Sequence, residues 1–149
     1  MLSQLNFTNF KSWASATLNC GRITGIFGTN SSGKTSLIQF LLLMKQTKDA
    51  TDRAISLELN GALVQLGTIK DAIHQHDESR VLTSSLGFSL TTELALNDPS
   101  DKKTSIVAKG RDLTMTSEIA VQQHAPIARR LAYRLGDISF SLARISHTG

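Results

Sequence analysis

Residues 22–36 read Arg22-Ile-Thr-Gly-Ile-Phe27-Gly28-Thr29-Asn30-Ser31-Ser32-Gly33-Lys34-Thr35-Ser36. From Gly28 to Thr35 this matches G-x-x-x-x-G-K-[ST], the Walker A phosphate-binding pattern, at every fixed position. Each fixed residue has a physical task. The glycines let the backbone curl so that successive N–H groups point inward at phosphate oxygens. Lys34 supplies a point charge for the β- and γ-phosphates, and the Thr35 hydroxyl is a ligand for Mg²⁺. A helix beginning here aims its positive end at the same anion. By composition alone, such a match arises somewhere in this chain with odds of roughly one in 100.

The flanks agree with the motif. Arg22 to Phe27 predicts a short apolar strand ending at Gly28. Lys34 to about Lys48 predicts a helix that is apolar on most sides (Leu37, Ile38, Phe40 to Met44) and so must be buried against other elements. Strand, loop and helix in that order are what the motif requires. The expected cradle is therefore Gly28, Thr29, Asn30, Ser31, Ser32, Gly33, Lys34, Thr35 and Ser36, with Lys34 and Thr35 as the catalytic pair. Asn-Lys-x-Asp, which reads guanine, does not occur, so ATP is the expected nucleotide and Mg²⁺ its metal.

Further out, Leu2, Leu5 and Phe7 predict one strand and Ala14 to Leu18 a second. Ile55 to Leu59 and Ala62 to Leu66 predict a hairpin across Asn60-Gly61, with Leu59 opposite Ala62 in a type I′ turn. A helical turn is expected around Thr68 to Ile73. From about Arg80 the alternation of Leu86, Phe88 and Leu90, then of Leu113, Met115, Ile119 and Val121, predicts antiparallel strands. The clearest pair is Leu131 to Leu142 around Gly136-Asp137. That turn sets Leu135 opposite Ile138, Tyr133 opposite Phe140 and Leu131 opposite Leu142.

At 149 residues and 40% hydrophobic content the chain has the size and composition of one folded domain. No apolar stretch approaches the roughly 20 residues that span a bilayer, and the N-terminus lacks the pattern of a signal peptide. One cysteine, Cys20, excludes an internal disulfide and a thiolate cluster. A cytoplasmic location is expected, with no membrane partner. The net charge of +4 comes wholly from residues 101–149, where Lys102, Lys103, Lys109, Arg111, Arg129, Arg130, Arg134 and Arg144 outnumber four acids. DNA is a candidate partner for that excess, and a solvated sheet face is the simpler reading because no aromatics interleave the charges.

The form N-x-S-G-K inside the loop, together with Leu5-Asn-Phe-Thr-Asn-Phe10-Lys11-Ser12-Trp13 about 20 residues before it, resembles the opening of ABC-type SMC, RecF and OLD-like ATPases. The run Phe27 to Gln46 is most similar to a bacterial and phage-associated subgroup of AAA-family ATP-binding proteins. The resemblance covers about residues 1–90. It implies an α/β fold, the N-terminal lobe of a P-loop NTPase, with a strand-rich antiparallel β subdomain. Residues 1–50 would be the nucleotide-binding βα core and residues 51–149 the β subdomain of one partial ATPase domain. It also implies a phosphate contact for Lys11 and for Ser12, and an aromatic ring near the base for Phe10 or Trp13, with core packing as the alternative for both rings.

The rest of the family pattern is not found. No apolar strand ends in Asp-Glu, no Leu-Ser-Gly-Gly occurs, and nothing chooses between Gln65 and Gln75 as the Q-loop glutamine. The chain thus reads as the first part of a larger ATPase whose C-terminal half, with Walker B, is absent, and whose partners would be that half and a second ATPase head in a homodimer. The function implied is ATP binding coupled to DNA maintenance or antiphage defence. The rival is a truncated, non-hydrolysing nucleotide-binding or regulatory lobe. A small-molecule kinase is disfavoured because Arg129-Arg130 is the one candidate for its lid. His74 and His76 read as a polar loop rather than a metal pair, His124 and His147 have no evident partners, and Cys20 reads as a small buried hydrophobe.

Overall fold

The computed structural model describes residues 1–52, 55–98, 100 and 105–144. Its strands are β1 (Leu2–Phe10), β2 (Trp13–Asn19), β3 (Leu82–Asn97), β4 (Ile106–Gln122), β5 (Ala125–Leu135) and β6 (Ile138–Ala143). They form one six-stranded sheet in the order β2-β1-β3-β4-β5-β6. Every neighbouring pair is antiparallel. Two α-helices occur among the described residues, α1 (Lys34–Asp49) and the single turn α2 (Ile69–Ala72).

This overturns the expected α/β P-loop NTPase lobe. The architecture is mostly antiparallel sheet with little helix, and no parallel strand pair is present among the described residues. The physical reason lies at residues 22–27. That segment was expected to be the strand leading into the loop, yet it joins no sheet, and Ile23 and Phe27 are 95% and 93% exposed. A parallel strand is stable only with neighbours on its edges and cover on its faces. Residues 22–27 gain neither here: β1 is already paired on both sides, with β2 and with β3, and the edges left open, those of β2 and β6, take no strand from this segment.

The C-terminal hairpin follows its sequence pattern, whereas the one expected at Asn60-Gly61 does not. The pairing of β5 with β6 sets Leu135 opposite Ile138, Tyr133 opposite Phe140 and Leu131 opposite Leu142, as the Gly136-Asp137 turn predicts. Gly136 takes the positive φ of 56° that such a turn asks of its first position. The hairpin at Asn60-Gly61 does not form. Asn60 bridges Gln65 instead, and Gly61 is not in the positive-φ conformation that a type I′ turn needs.

Gln46 of α1 explains the difference. Its amide nitrogen donates to the carbonyls of Glu58 (2.8 Å) and Val64 (3.1 Å), and its Oε1 accepts from the N–H groups of Leu63 (2.9 Å) and Val64 (3.0 Å). A Cβ on residue 61 would fall 2.5 Å from the Gln46 amide carbon, so Gly61 serves close approach rather than turn geometry. A buried side chain with all four bonds met is costly to truncate. Gln46→Leu removes four bonds at once and takes the partner from three backbone groups, the Glu58 carbonyl and the N–H groups of Leu63 and Val64, while the Val64 carbonyl keeps the Gly61 N–H at 3.0 Å; it should lower the unfolding free energy by about 2–4 kcal/mol in urea melts. A change under about 0.5 kcal/mol would mean that this network is not formed in solution.

The core sits between α1 and the β1 side of the sheet. Phe7 and Phe40 stack at 4.3 Å between ring centroids, and Phe10 meets Phe40 edge-on at 5.1 Å. Leu37, Phe40 and Leu43, three residues apart, form the buried stripe of α1. Across the sheet, the row Leu5, Leu86, Met115, Tyr133, Phe140 stays apolar from β1 to β6. Its cover does not extend as far. Leu5 is buried, whereas Tyr133 and Phe140 are exposed.

The turn from β4 to β5 was not legible in the sequence. Gln123 and His124 both adopt positive φ, 51° and 60°, which costs a side-chain-bearing residue energy that Asn or Gly avoids. The double change Gln123→Asn with His124→Gly should therefore raise the melting temperature by a few degrees, about 1 kcal/mol. An unchanged or lower midpoint would count against this turn geometry.

Thr68 caps α2. Its N–H and hydroxyl donate to the Asp71 carboxylate at 2.8 and 2.7 Å, and Asp71 N–H returns to the Thr68 oxygen at 3.4 Å. These bonds hold the Asp71 carboxyl below its ordinary value of 3.8. Ser79 and then Arg80 do the same for Asp77. A carboxylate lowered in the fold adds stability that is complete above its unfolded pKa and is lost as pH falls through the folded one. The melting temperature should accordingly fall as pH drops below about 4, and Asp71→Asn should flatten part of that fall.

Candidate functional site

The residues of the Walker A pattern form a loop on the surface. Residues 21–32 are all exposed, so no core contact shapes them. The loop is ordered from within. The Lys34 ammonium folds back and donates to the carbonyls of Gly28 (2.8 Å) and Thr29 (2.5 Å), with the Ser32 hydroxyl at 3.4 Å. Ser31 and Gly33 take the left-handed conformation, with φ of 64° and 87°. Ser32 N–H closes the turn onto the Thr29 carbonyl at 3.3 Å.

Gly33 is the N-cap of α1 and offers no side chain to it. The first N–H that finds an intrahelical acceptor is that of Leu37, which donates to the Gly33 carbonyl at 3.3 Å. The N–H groups of Lys34, Thr35 and Ser36 therefore stand free at the positive end of a sixteen-residue helix. They border an open cavity of about 370 Å³ lined by Ser12, Asn30, Ser31, Ser32, Gly33, Lys34, Thr35 and Ser36. Backbone donors, hydroxyls and the Lys34 side chain border it, and its lining holds no carboxylate or imidazole. That chemistry fits an anion.

The two motif segments meet here although the sheet differs from the one expected. β1 and β2 turn over at Lys11-Ser12, with Phe10 opposite Trp13. The turn brings Ser12 into the cavity lining and the Trp13 indole N–H to the Gly33 carbonyl at 3.1 Å. Gly33 could be nothing larger. A Cβ there would lie 2.6 Å from the indole nitrogen and 2.7 Å from the Ser12 hydroxyl. Sequence reasoning missed this role of Trp13, and no local pattern announces it.

Lys11, assigned to phosphate by resemblance, donates to Gln39 Oε1 at 2.9 Å, one turn into α1. Phe10 is fully buried against Phe7 and Phe40, so it is core and not a base-stacking ring. Thr35 keeps its hydroxyl free of protein partners among the described residues, and would hold Mg²⁺ as a single protein ligand beside phosphate oxygens. No group of three potential metal ligands occurs among the described residues. His74 and His76 each turn a ring nitrogen to a backbone carbonyl, those of Lys11 (2.7 Å) and Lys70 (3.0 Å). His124 meets Glu78 at 2.9 Å. Gln65 lies in the Asn60 bridge, and Gln75 accepts from Arg80 at 3.0 Å.

Cys20 is half-buried against the core. Among the basic residues of the last third, Arg130 lies 3.9 Å from Glu118. Lys102, Lys103 and His147 lie outside the described residues. No helix is long and apolar enough to cross a membrane among the described residues. No known protein family matches this chain, and a comparison with curated proteins finds no match either.

Proposed function

We propose that the chain binds the phosphates of a nucleoside triphosphate, Mg-ATP first among them, in the cavity lined by residues 30–36 and Ser12. The observation that carries the reading is the set of free N–H groups of Lys34, Thr35 and Ser36 beside the Lys34 ammonium, on a loop that keeps the Walker A pattern throughout. The Thr35 hydroxyl would be the chain's own ligand for Mg²⁺, which would supply charge to offset that of the phosphates. The chain's own part is to hold: the backbone donors orient the terminal phosphates, and Lys34 supplies the charge.

Kinship with SMC, RecF and OLD-like ATPases belongs to the same proposal, and the meeting of residues 12–13 with Gly33 supports it. So does the role in DNA maintenance or antiphage defence, in which a second head and DNA would be the partners. Binding without turnover is the reading for this chain by itself, because the cavity lining offers no general base to an attacking water. Calorimetric titration with Mg-ATP tests the proposal. Saturable binding at one site per chain is expected, with hydrolysis far below about 1 s⁻¹, the lower end of ordinary enzyme turnover. Absence of saturable binding overturns the binding reading, and faster turnover overturns the non-catalytic one.

A further inference from the structure

We infer that Trp13 is a positioning residue for the phosphate cradle, its indole N–H fixing the peptide plane between Gly33 and Lys34. This rests on the phosphate-binding reading above and adds a part to it. The Gly33 carbonyl accepts two bonds, from Trp13 Nε1 at 3.1 Å and from Leu37 N–H at 3.3 Å. A peptide unit is planar and trans, so its carbonyl oxygen and its N–H point in opposite directions. Holding the Gly33 oxygen on the protein side therefore aims the Lys34 N–H into the cavity.

The latch is needed because of where it acts. Gly33 has the widest backbone freedom of any residue type, it carries a left-handed φ of 87°, and no side chain caps the helix at this point. The loop before it is wholly exposed and makes no core contact that could fix it. Trp13, by contrast, begins β2, pairs across the turn with Phe10 and packs partly buried against the core. It joins Gly33 to the sheet by a hydrogen bond from outside both the loop and α1. The bond is made to the carbonyl end of the peptide unit, so it leaves the Lys34 N–H at the other end unengaged.

Trp13 is the only tryptophan, so indole emission reports on its surroundings alone. The test titrates sodium tripolyphosphate and, separately, Mg-ATP into the intact chain and two variants. One variant is Trp13→Phe. The other carries 3-benzothienylalanine at position 13, which keeps the indole shape and replaces its N–H by sulfur. Both variants should bind tripolyphosphate and Mg-ATP about five- to tenfold more weakly, by the same factor for each ligand, with the benzothienyl chain melting at the unaltered temperature.

The intact chain should also show a shift in tryptophan emission on adding tripolyphosphate. Equal affinity in the benzothienyl variant overturns the latch, even if Trp13→Phe is unstable. A loss confined to Mg-ATP overturns it in favour of a ring that stacks on the base. Failure of the intact chain to bind either ligand removes the phosphate-binding reading itself, an outcome distinct from the other two.

Discussion

Lys34→Ala should weaken Mg-ATP binding by about 100-fold or more and leave the unfolding transition within about 0.5 kcal/mol of its original position. The two halves of this expectation come from different observations. Lys34 is the only cation among the residues lining the cavity, and its ammonium, held by the exposed Gly28 and Thr29 carbonyls at 2.8 and 2.5 Å, would exchange those bonds for a bound anion. Bonds between charged partners are worth about 1.5–3 kcal/mol each, and loss of one or two of them gives the factor stated. Stability should hardly change, because the carbonyls that Lys34 releases are on an exposed loop and exchange its bonds for water. Calorimetry beside urea melts of the same preparations checks both. Undiminished affinity would remove the site from residues 28–36. Lost affinity together with lost stability would mean that the loop is part of the folding unit, contrary to its exposure.

The candidate site was far more legible in the sequence than the sheet that carries it. A phosphate loop is a local device: a glycine at a left-handed position, a lysine after it and a helix start are fixed within nine residues, and the chain encodes them there. The helix Lys34–Asp49 and the Leu131–Leu142 hairpin were likewise readable, since each depends on contacts between residues close in sequence. Sheet class depends on distant partners. The apolar run 22–27 has the composition of a buried strand, but composition cannot say whether a neighbour exists, and β1 has given both its edges to β2 and β3.

Asn60-Gly61 failed for a related reason. Its turn preference is worth less than the four bonds that Gln46, fourteen residues earlier, makes around it. Phe10 and Trp13 show the limit at single residues. Both are aromatic and close in sequence, and only the sheet decides that one enters the core while the other turns its N–H to Gly33.

Phe40→Ala should be the most damaging single core change, lowering the unfolding free energy by about 3–5 kcal/mol. Phe40 is fully buried, stacked on Phe7 and edge-on to Phe10, so truncation removes its burial and two ring contacts and opens a cavity at the α1–β1 junction. A domain of this size has about 5–15 kcal/mol in total, so the variant should survive only marginally at 25 °C. Phe40→Leu, which refills most of the space, should recover the larger part.

The consequence reaches the site. Residues 21–32 rest on no core of their own, so the direction in which α1 points its free N–H groups is inherited from the packing of Phe40 between Phe7 and Phe10. The same packing sets α1 against the turn that presents Ser12 and Trp13. Phe40→Leu should therefore weaken nucleotide binding while most molecules remain folded, whereas Lys34→Ala weakens it with the fold untouched. Urea midpoints and calorimetric affinities measured on both variants separate the two routes. A Phe40→Leu chain that binds as tightly as the original would show that the loop is oriented by something other than α1.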